Sequence, residues 1–228
     1  MDSYILISYL IEIENTVNKT MKLCICMWYD DAIAIYADRI SKANKAYCDK
    51  HGYDIVISHT RNYPERAPHW ERIPLVLNLI PHYDYVIWVD ADAFFYPNAP
   101  RIEPVIEKHP NTNIIWSSDW EKVKTSINSG IFIVKNTEYS KLFLKKWASD
   151  PTHVCEKYNQ SWSHDQGVLR TLYEENIMDV QSNTTIIQRQ ILQNPNYILD
   201  LDLQPYLCHL CGRDTETRVA IVDSLLEK

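Results

Sequence analysis

The run Tyr85-Val86-Ile87-Trp88-Val89, closed by Asp90-Ala91-Asp92, constrains this chain more than any other stretch. Apolar residues in unbroken succession describe a strand covered on both faces, the habit of parallel sheets. Such a strand needs helices above and below it, and the rest of the chain supplies them. Leu23–Trp28 and Asp54–Ser58 read as strands, as do residues 113–117 and 131–134. Between the first two, Ile33, Ala34, Ala37, Ile40, Tyr47 and Cys48 recur at a helical period, with Asp30 or Asp31 as a capping residue and Gly52 as the stop. Residues 70–80 (Pro74 tolerated near the first turn), 137–148, 164–175 and 215–226 read as further helices, with a short one around Pro104. Residues 179–206 mix strands and loops. The pattern predicts an α/β fold with a mainly parallel central sheet flanked by helices.

The chain has 228 residues, enough for one domain with a full core. Residues 1–20 read as an N-terminal extension and 21–228 as the domain. The net charge of −7 and the lack of a dense Lys/Arg run exclude the usual electrostatics of nucleic-acid binding, so no nucleic-acid partner is expected. The apolar stretch at residues 4–11 is too short to span a bilayer and is followed by Glu12 and Glu14. The cysteines (Cys24, Cys26, Cys48, Cys155, Cys208 and Cys211) lack the spacing of a secreted disulfide framework and read as reduced thiols, most of them buried. Sequons at Asn18, Asn159 and Asn183 are common by chance.

Chemistry concentrates in a few places. Asp90 and Asp92 end the main strand, where ligands bind in open α/β sheets. Side by side they repel unless a divalent cation joins them, and magnesium and manganese are held by such carboxylates together with substrate phosphates. Ala91 between them is small enough for a diphosphate to approach the backbone. His209, in Cys208-His209-Leu210-Cys211-Gly212, would favour manganese, since imidazole is a poor ligand for magnesium. Asn128-Ser129-Gly130, opening a strand, offers hydrogen bonds to sugar hydroxyls and a close backbone approach, although the same triplet is ordinary turn chemistry. In His164-Asp165-Gln166-Gly167, Asp165 and Gln166 either face a sugar or simply complement a helix N-terminus. These motifs hold Gly130, Gly167 and Gly212 of the chain's 4 glycines.

Together, and in this order, these strings make the chain resemble GT-A glycosyltransferases of the galactosyl-, xylosyl- and mannosyltransferase group. That group includes yeast mannan transferases and plant xyloglucan xylosyltransferases. The resemblance runs from about Lys22 to Gly212 and rests on Glu71-Arg72-Ile73-Pro74-Leu75, Trp88 through Phe95, Asn128 through Asn136, His164-Asp165-Gln166 and His209 through Gly212. It implies a Rossmann-like single domain. Mn²⁺ (Mg²⁺ as second choice) would be held by Asp90, Asp92 and His209 with a nucleotide diphosphate sugar, a UDP-sugar before GDP-mannose. Asn128 and Asp165 would be at the sugar and Gln166 near the anomeric carbon. Arg72 would be at the donor phosphate or ribose, the acceptor would be a glycan or glycoprotein, and anomeric configuration would be retained. Asp165 would be the candidate for any covalent step. The family often carries two acidic residues before the glutamine, where this chain has His164 and Asp165. Trp70, Trp116, Trp120 and Trp162 could stack on sugar rings or fill the core. The compartment implied is the cytoplasm, or a lumen if the chain is a piece of an anchored enzyme.

Other classes fit less well. A dinucleotide-binding dehydrogenase needs G-x-G-x-x-G after the first strand, where this chain has Tyr29-Asp30-Asp31-Ala32. There is no P-loop, and no Gly-rich basic loop of a sugar-nucleotide synthase. A sugar-nucleotide hydrolase or a catalytically silent sugar-binding module of the same fold remain as alternatives. A Cys208/Cys211 redox pair would sit far from the first-strand position such pairs favour.

Overall fold

The computed structural model describes residues 21–119, 126–149, 164–194 and 206–226. Its main sheet has six strands in the order β2-β1-β3-β6-β5-β7. These are β1 (Leu23–Trp28), β2 (Asp54–Ser58), β3 (Tyr85–Val89), β5 (Ile114–Ser118), β6 (Ile127–Lys135) and β7 (Thr184–Ile187). The β1–β2, β1–β3 and β5–β7 pairs are parallel, and β6 runs antiparallel to both β3 and β5. The expected α/β fold with a mainly parallel sheet is therefore present, with β6 as the reversed strand.

Alternation along each strand divides the core into two layers. Ile25 and Met27 of β1, Ile87 and Val89 of β3, and Ile131 and Ile133 of β6 face one side. Cys26 and Trp28, Val86 and Trp88, and Phe132 and Val134 face the other. The first layer is covered by α1 (Ala34–His51), α3 (Glu103–Glu107) and α8 (Thr215–Leu226). The second is covered by α2 (Arg72–Leu79), α4 (Glu138–Ser149) and α5 (His164–Glu174). Two short helices, α6 (Val180–Asn183) and α7 (Arg189–Leu192), flank β7. Trp70 and Trp116 lie in the second layer, 2% and 0% exposed, so they pack the core and do not face a sugar. Trp120 and Trp162 lie outside the described residues.

Gly52 stops α1 as expected. It adopts φ 75°, and its N–H closes on the Cys48 carbonyl. The start of α1 differs from expectation. Neither Asp30 nor Asp31 caps it with a side chain; their backbone carbonyls accept from Ile33 N and Ala34 N in a preceding turn. Pro74 is the third residue of α2, where its missing N–H costs no helical bond. Among the described cysteines none is in a disulfide, and Cys24, Cys26, Cys48 and Cys208 are buried.

A second, three-stranded sheet was not legible in the sequence. It joins β4 (Ala93–Phe95), β9 (Leu207–His209) and β8 (Gln193–Asn194) in the order β4-β9-β8. Antiparallel pairing sets Ala93 opposite His209 and so brings the end of the chain back to the end of β3. Among the described residues no helix is long and apolar enough to cross a membrane.

Candidate active site

The polypeptide delivers its chemistry to one edge of the main sheet. The parallel strands β1, β3 and β5 end there, and the reversed β6 begins there, so its first residues share an edge with the last residues of its neighbours. β3 stops at Val89, and a turn closed by Ala93 N to the Asp90 carbonyl (2.9 Å) carries Asp90-Ala91-Asp92 over the edge. β6 keeps pairing with β3 through Asp90 N to the Gly130 carbonyl. Against β5, its register jumps from Trp116↔Phe132 to Ser117↔Asn128. Ser129, Gly130 and Ile131 thus form a bulge that turns the segment toward the site. The triplet Asn128-Ser129-Gly130 lies inside this strand. Its turn chemistry survives locally, because Asn128 Oδ1 accepts from Gly130 N at 2.8 Å.

Asp90, Asp92 and His209 each offer a donor atom, all within 4.8 Å of one another. His209 Nε2 lies 3.2 Å from Asp92 Oδ1 and 3.9 Å from Asp90 Oδ2. The opposite atom of each side chain is already held. Asp90 Oδ1 accepts from Trp88 Nε1 at 2.8 Å and pairs with an Arg72 terminal nitrogen at 3.2 Å. Asp92 Oδ2 accepts from an Arg218 terminal nitrogen at 2.8 Å. His209 Nδ1 bonds to Gln193 Oε1. Gly130 makes the convergence sterically possible. A Cβ there would collide with His209 Cε1 and sit 2.8 Å from Asp90 Oδ2 and 2.9 Å from Asn128 Oδ1. A donor set of two carboxylates and one imidazole, around space that only glycine leaves open, fits a divalent transition cation.

The electrostatics agree. Burial pushes the Asp90 carboxyl up, and Arg72 and His209 only partly offset it. Burial also acts on Asp92, but His209 and Arg218 outweigh it and bring that carboxyl down to about 2. For His209, burial opposes the charged form, yet the carboxylates prevail and its pKa is raised.

Arg72 is wired more heavily than the sequence suggests. It is 4% exposed. Its Nε donates to the His69 carbonyl at 2.8 Å and lies 3.2 Å from Asp165 Oδ2. A terminal nitrogen donates to the Ser129 carbonyl and, at 2.6 Å, to Ser129 Oγ. Asp165, in the first turn of α5, is 3% exposed. Gln166 Oε1 accepts from Ser129 N at 2.8 Å. Asn128 Nδ2 donates to Asp119 Oδ1 at 3.1 Å, and Asp119 also pairs with Arg170. Arg72, Asp90, Asp92, Asn128, Ser129, Gly130, Asp165, Gln166 and His209 are therefore joined in one network, and Ala91 lines the cavity beside it. Gly212 follows His209 in a left-handed turn at φ 71°. Beside the network an open cavity of about 190 Å³ is lined by Trp28, Tyr36, His69, Arg72, Ala91 and Asp92, among others. It lies where the chain passes from β1 outward to β2 on one side and to β3 on the other, the switch point at which such sheets bind ligands.

Sequence reasoning missed Gln193, Arg218 and Asp119. Each is an ordinary polar residue whose role depends on a partner distant in the chain, and no local pattern marks it.

Residues 44–216 match a family model described as "Protein of unknown function, DUF273". The chain belongs to the DUF273 family. This DUF273 chain is 27% identical over 160 residues to galactomannan galactosyltransferase 1 of Cyamopsis tetragonoloba, covering 65% of this chain and 34% of that protein. It is 30% identical over 132 residues to probable glycosyltransferase 4 of Oryza sativa subsp. indica, covering 54% and 27% respectively. The DUF273 chain thus spans about a third or less of the length of these relatives. Among solved structures, it superposes with TM-score 0.73 on a glycosyltransferase involved in glycosylation of the major capsid of PBCV-1. That match is at 17% identity and covers 89% of this chain and 99% of that one. The galactosyltransferase LgtC, in complex with donor and acceptor sugar analogs, matches with TM-score 0.52 at 16% identity, covering 89% and 96%. The fold is that of the GT-A glycosyltransferases.

Proposed function

We propose that this chain is a metal-dependent glycosyltransferase. It would take a hexose or pentose from a nucleotide diphosphate sugar, a UDP-sugar first and GDP-mannose second, and pass it to a hydroxyl of a glycan or glycoprotein with retention of configuration. The observation that carries this reading is the convergence of Asp90, Asp92 and His209 around the gap at Gly130, at the ligand-binding edge of the sheet. The glycosyltransferase names of the plant relatives support it.

Asp90, Asp92 and His209 would hold Mn²⁺, with Mg²⁺ as the alternative. When bound, the cation supplies charge stabilisation for the departing nucleotide diphosphate. The chain's own residues do the rest. Ala91, between the two aspartates, leaves the backbone approachable, and the exposed turn at Gly212 does the same beyond His209. Trp28, Tyr36 and His69 line the open cavity next to the carboxylates and would flank the donor there. Asn128, whose amide keeps a second N–H beyond its bond to Asp119, would hold the sugar, and Ser129 and Gly130, bonded to Arg72, Gln166 and Asp90, would support it from beneath. Gln166, only partly buried and anchored on Ser129 N, would sit near the anomeric carbon. Asp165 neutralises the inner side of Arg72, and Arg72 in turn steadies Asp90 and Ser129. These are preorganised dipoles and charges, which stabilise developing charge without rearranging during the reaction. The acceptor hydroxyl would then be held for front-face attack, on the side from which the diphosphate leaves, which retains configuration.

The test is product analysis by mass spectrometry after incubation with UDP- and GDP-sugars and Mn²⁺, with and without oligosaccharide acceptors. A sugar-extended acceptor that forms only with metal supports transfer. Free sugar released at the same rate with or without acceptor points to a sugar-nucleotide hydrolase, and no metal-linked donor binding points to a silent module.

A further inference from the structure

Every donor of the acid–histidine cluster has its far atom fixed by another group. For His209 that group is Gln193, which lies 16 positions earlier in the chain, is 1% exposed, and opens β8. A glutamine amide can face either way, so its orientation depends on its other contacts. Here the choice is forced. Gln193 Nε2 donates to the Ser118 backbone carbonyl at 3.2 Å, and a carbonyl can only accept. Turning the amide over would set oxygen against oxygen in a buried place. Gln193 Oε1 is therefore left facing His209 Nδ1, and an amide oxygen can also only accept. The imidazole must then carry its proton on Nδ1, and the neutral ring's lone pair is at Nε2, the atom that faces Asp90 and Asp92. Ser118 is itself anchored, since its Oγ accepts from Arg189 N at 2.9 Å, and it lies just beyond the register shift of β5.

We infer that Gln193 is a positioning residue that relays the polarity of the Ser118 carbonyl to His209, holding the imidazole in the Nδ1–H tautomer with Nε2 presented to a divalent cation. This rests on the reading of Asp90, Asp92 and His209 as a cation centre and goes beyond it, because it names the residue that would give such a centre a preference for manganese over magnesium. Imidazole contributes to binding the first ion and little to the second. Loss of the relay should therefore weaken Mn²⁺ far more than Mg²⁺, which a general loss of structure would not do.

The experiment has two arms. In the first, long-range ¹H–¹⁵N correlation spectra of the unsubstituted, ¹⁵N-histidine-labelled protein without metal report the tautomer of neutral His209; Nδ1–H is expected. In the second, Mn²⁺ binding without nucleotide is followed by electron paramagnetic resonance, with Mg²⁺ as competitor, for the unsubstituted protein, Gln193→Met and Gln193→Glu. Gln193→Met fills similar space without accepting a hydrogen bond, and should lose about ten- to a hundred-fold in Mn²⁺ affinity while Mg²⁺ changes little. Gln193→Glu, protonated on the oxygen that faces the Ser118 carbonyl, keeps both that donor and an acceptor for Nδ1 and should recover most of that loss. An Nε2–H tautomer, or unchanged Mn²⁺ affinity in a folded Gln193→Met, overturns the inference. If Gln193→Met does not fold, the tautomer and Gln193→Glu still decide it. The Nδ1–H tautomer in a protein that binds no Mn²⁺ overturns the cation reading itself, and the claim about manganese preference falls with it.

Discussion

Two acidic groups buried at the same sheet edge are neutralised in different ways. Asp165 faces Arg72 inside the protein, and the two are 3% and 4% exposed. Its charge is matched by a partner of the same chain, while its buried Oδ2 receives no hydrogen bond among the described residues. Asp90 and Asp92 each spend one oxygen on the protein, through Trp88, Arg72 and Arg218. Their other oxygens converge with His209 on the gap at Gly130. The comparison separates an ion pair closed within the chain from a set of open donor atoms that could hold a metal ion. Both bury charge, but the second leaves donor atoms from three side chains directed at one point. Arg72 touches both sets, so it transmits the rigidity of the first to the second.

Substituting Arg72 should have the largest effect, and on stability. Arg72→Met leaves Asp165 and Asp90 without their guanidinium, and breaking a buried pair from one side costs about 3–5 kcal/mol. For a domain of this size that lowers Tm by roughly 10 °C, readable by calorimetry. A Tm within a degree or two of the unsubstituted protein would mean that Asp165 is not balanced by Arg72. Asp92→Ala should show the reverse emphasis, with a smaller loss of Tm, from the unpaired Arg218, and Mn²⁺ affinity down by about a hundred-fold or more. Removing a ligand must cost at least as much as removing a ligand's outer partner. Retained Mn²⁺ binding in Asp92→Ala would erase the distinction between the two acidic groups.

Gly130→Ala should cost about 1–3 kcal/mol through overpacking against His209 and Asp90, and should weaken cation binding as the donors are pushed apart. Calorimetry with and without Mn²⁺ measures both. The smallest effect is that of pH. Burial raises Asp90, and the carboxylates, against burial, raise His209, so both hold protons to higher pH than usual. A cation binds their deprotonated forms, so protons compete with it and are released when it binds. Mn²⁺ affinity should therefore be highest at the alkaline end and fall with decreasing pH. Titration calorimetry in buffers of differing ionisation enthalpy detects the released protons. Affinity that is flat from about pH 8 to about pH 5.5 would contradict the assignment of these ligands.

The legible parts of the molecule are those in which a local pattern does the physical work. β3 announced itself because a strand covered on both faces has no polar alternation, and α1 because one face of a helix packs on the sheet. Asp90 and Asp92 were legible because two adjacent acids at a strand end need an explanation. What stayed hidden depends on distant approach. β4 is only Ala93–Phe95, too short to show a period, and exists because β9 returns beside it. Asn128-Ser129-Gly130 reads as the opening of a strand, with a turn as the alternative, and the structure places it inside β6. Its side-chain-to-backbone bond is real, but the pairing of Gly130 with Asp90 keeps the chain extended. Arg218 meets Asp92 across 126 positions of sequence, so no window along the chain could have joined them.

The central claim is that the open acidic group takes a cation and, through it, a nucleotide sugar. The most direct measurement is the thermal shift of the unsubstituted protein with UDP- and GDP-sugars, each with Mn²⁺ and with a chelator. A ligand bound only by the folded state raises Tm according to its concentration over its Kd. A shift for one donor that appears with Mn²⁺ and vanishes with the chelator is the predicted result. A folded protein that shows the same Tm with every donor, whether or not Mn²⁺ is present, would contradict it.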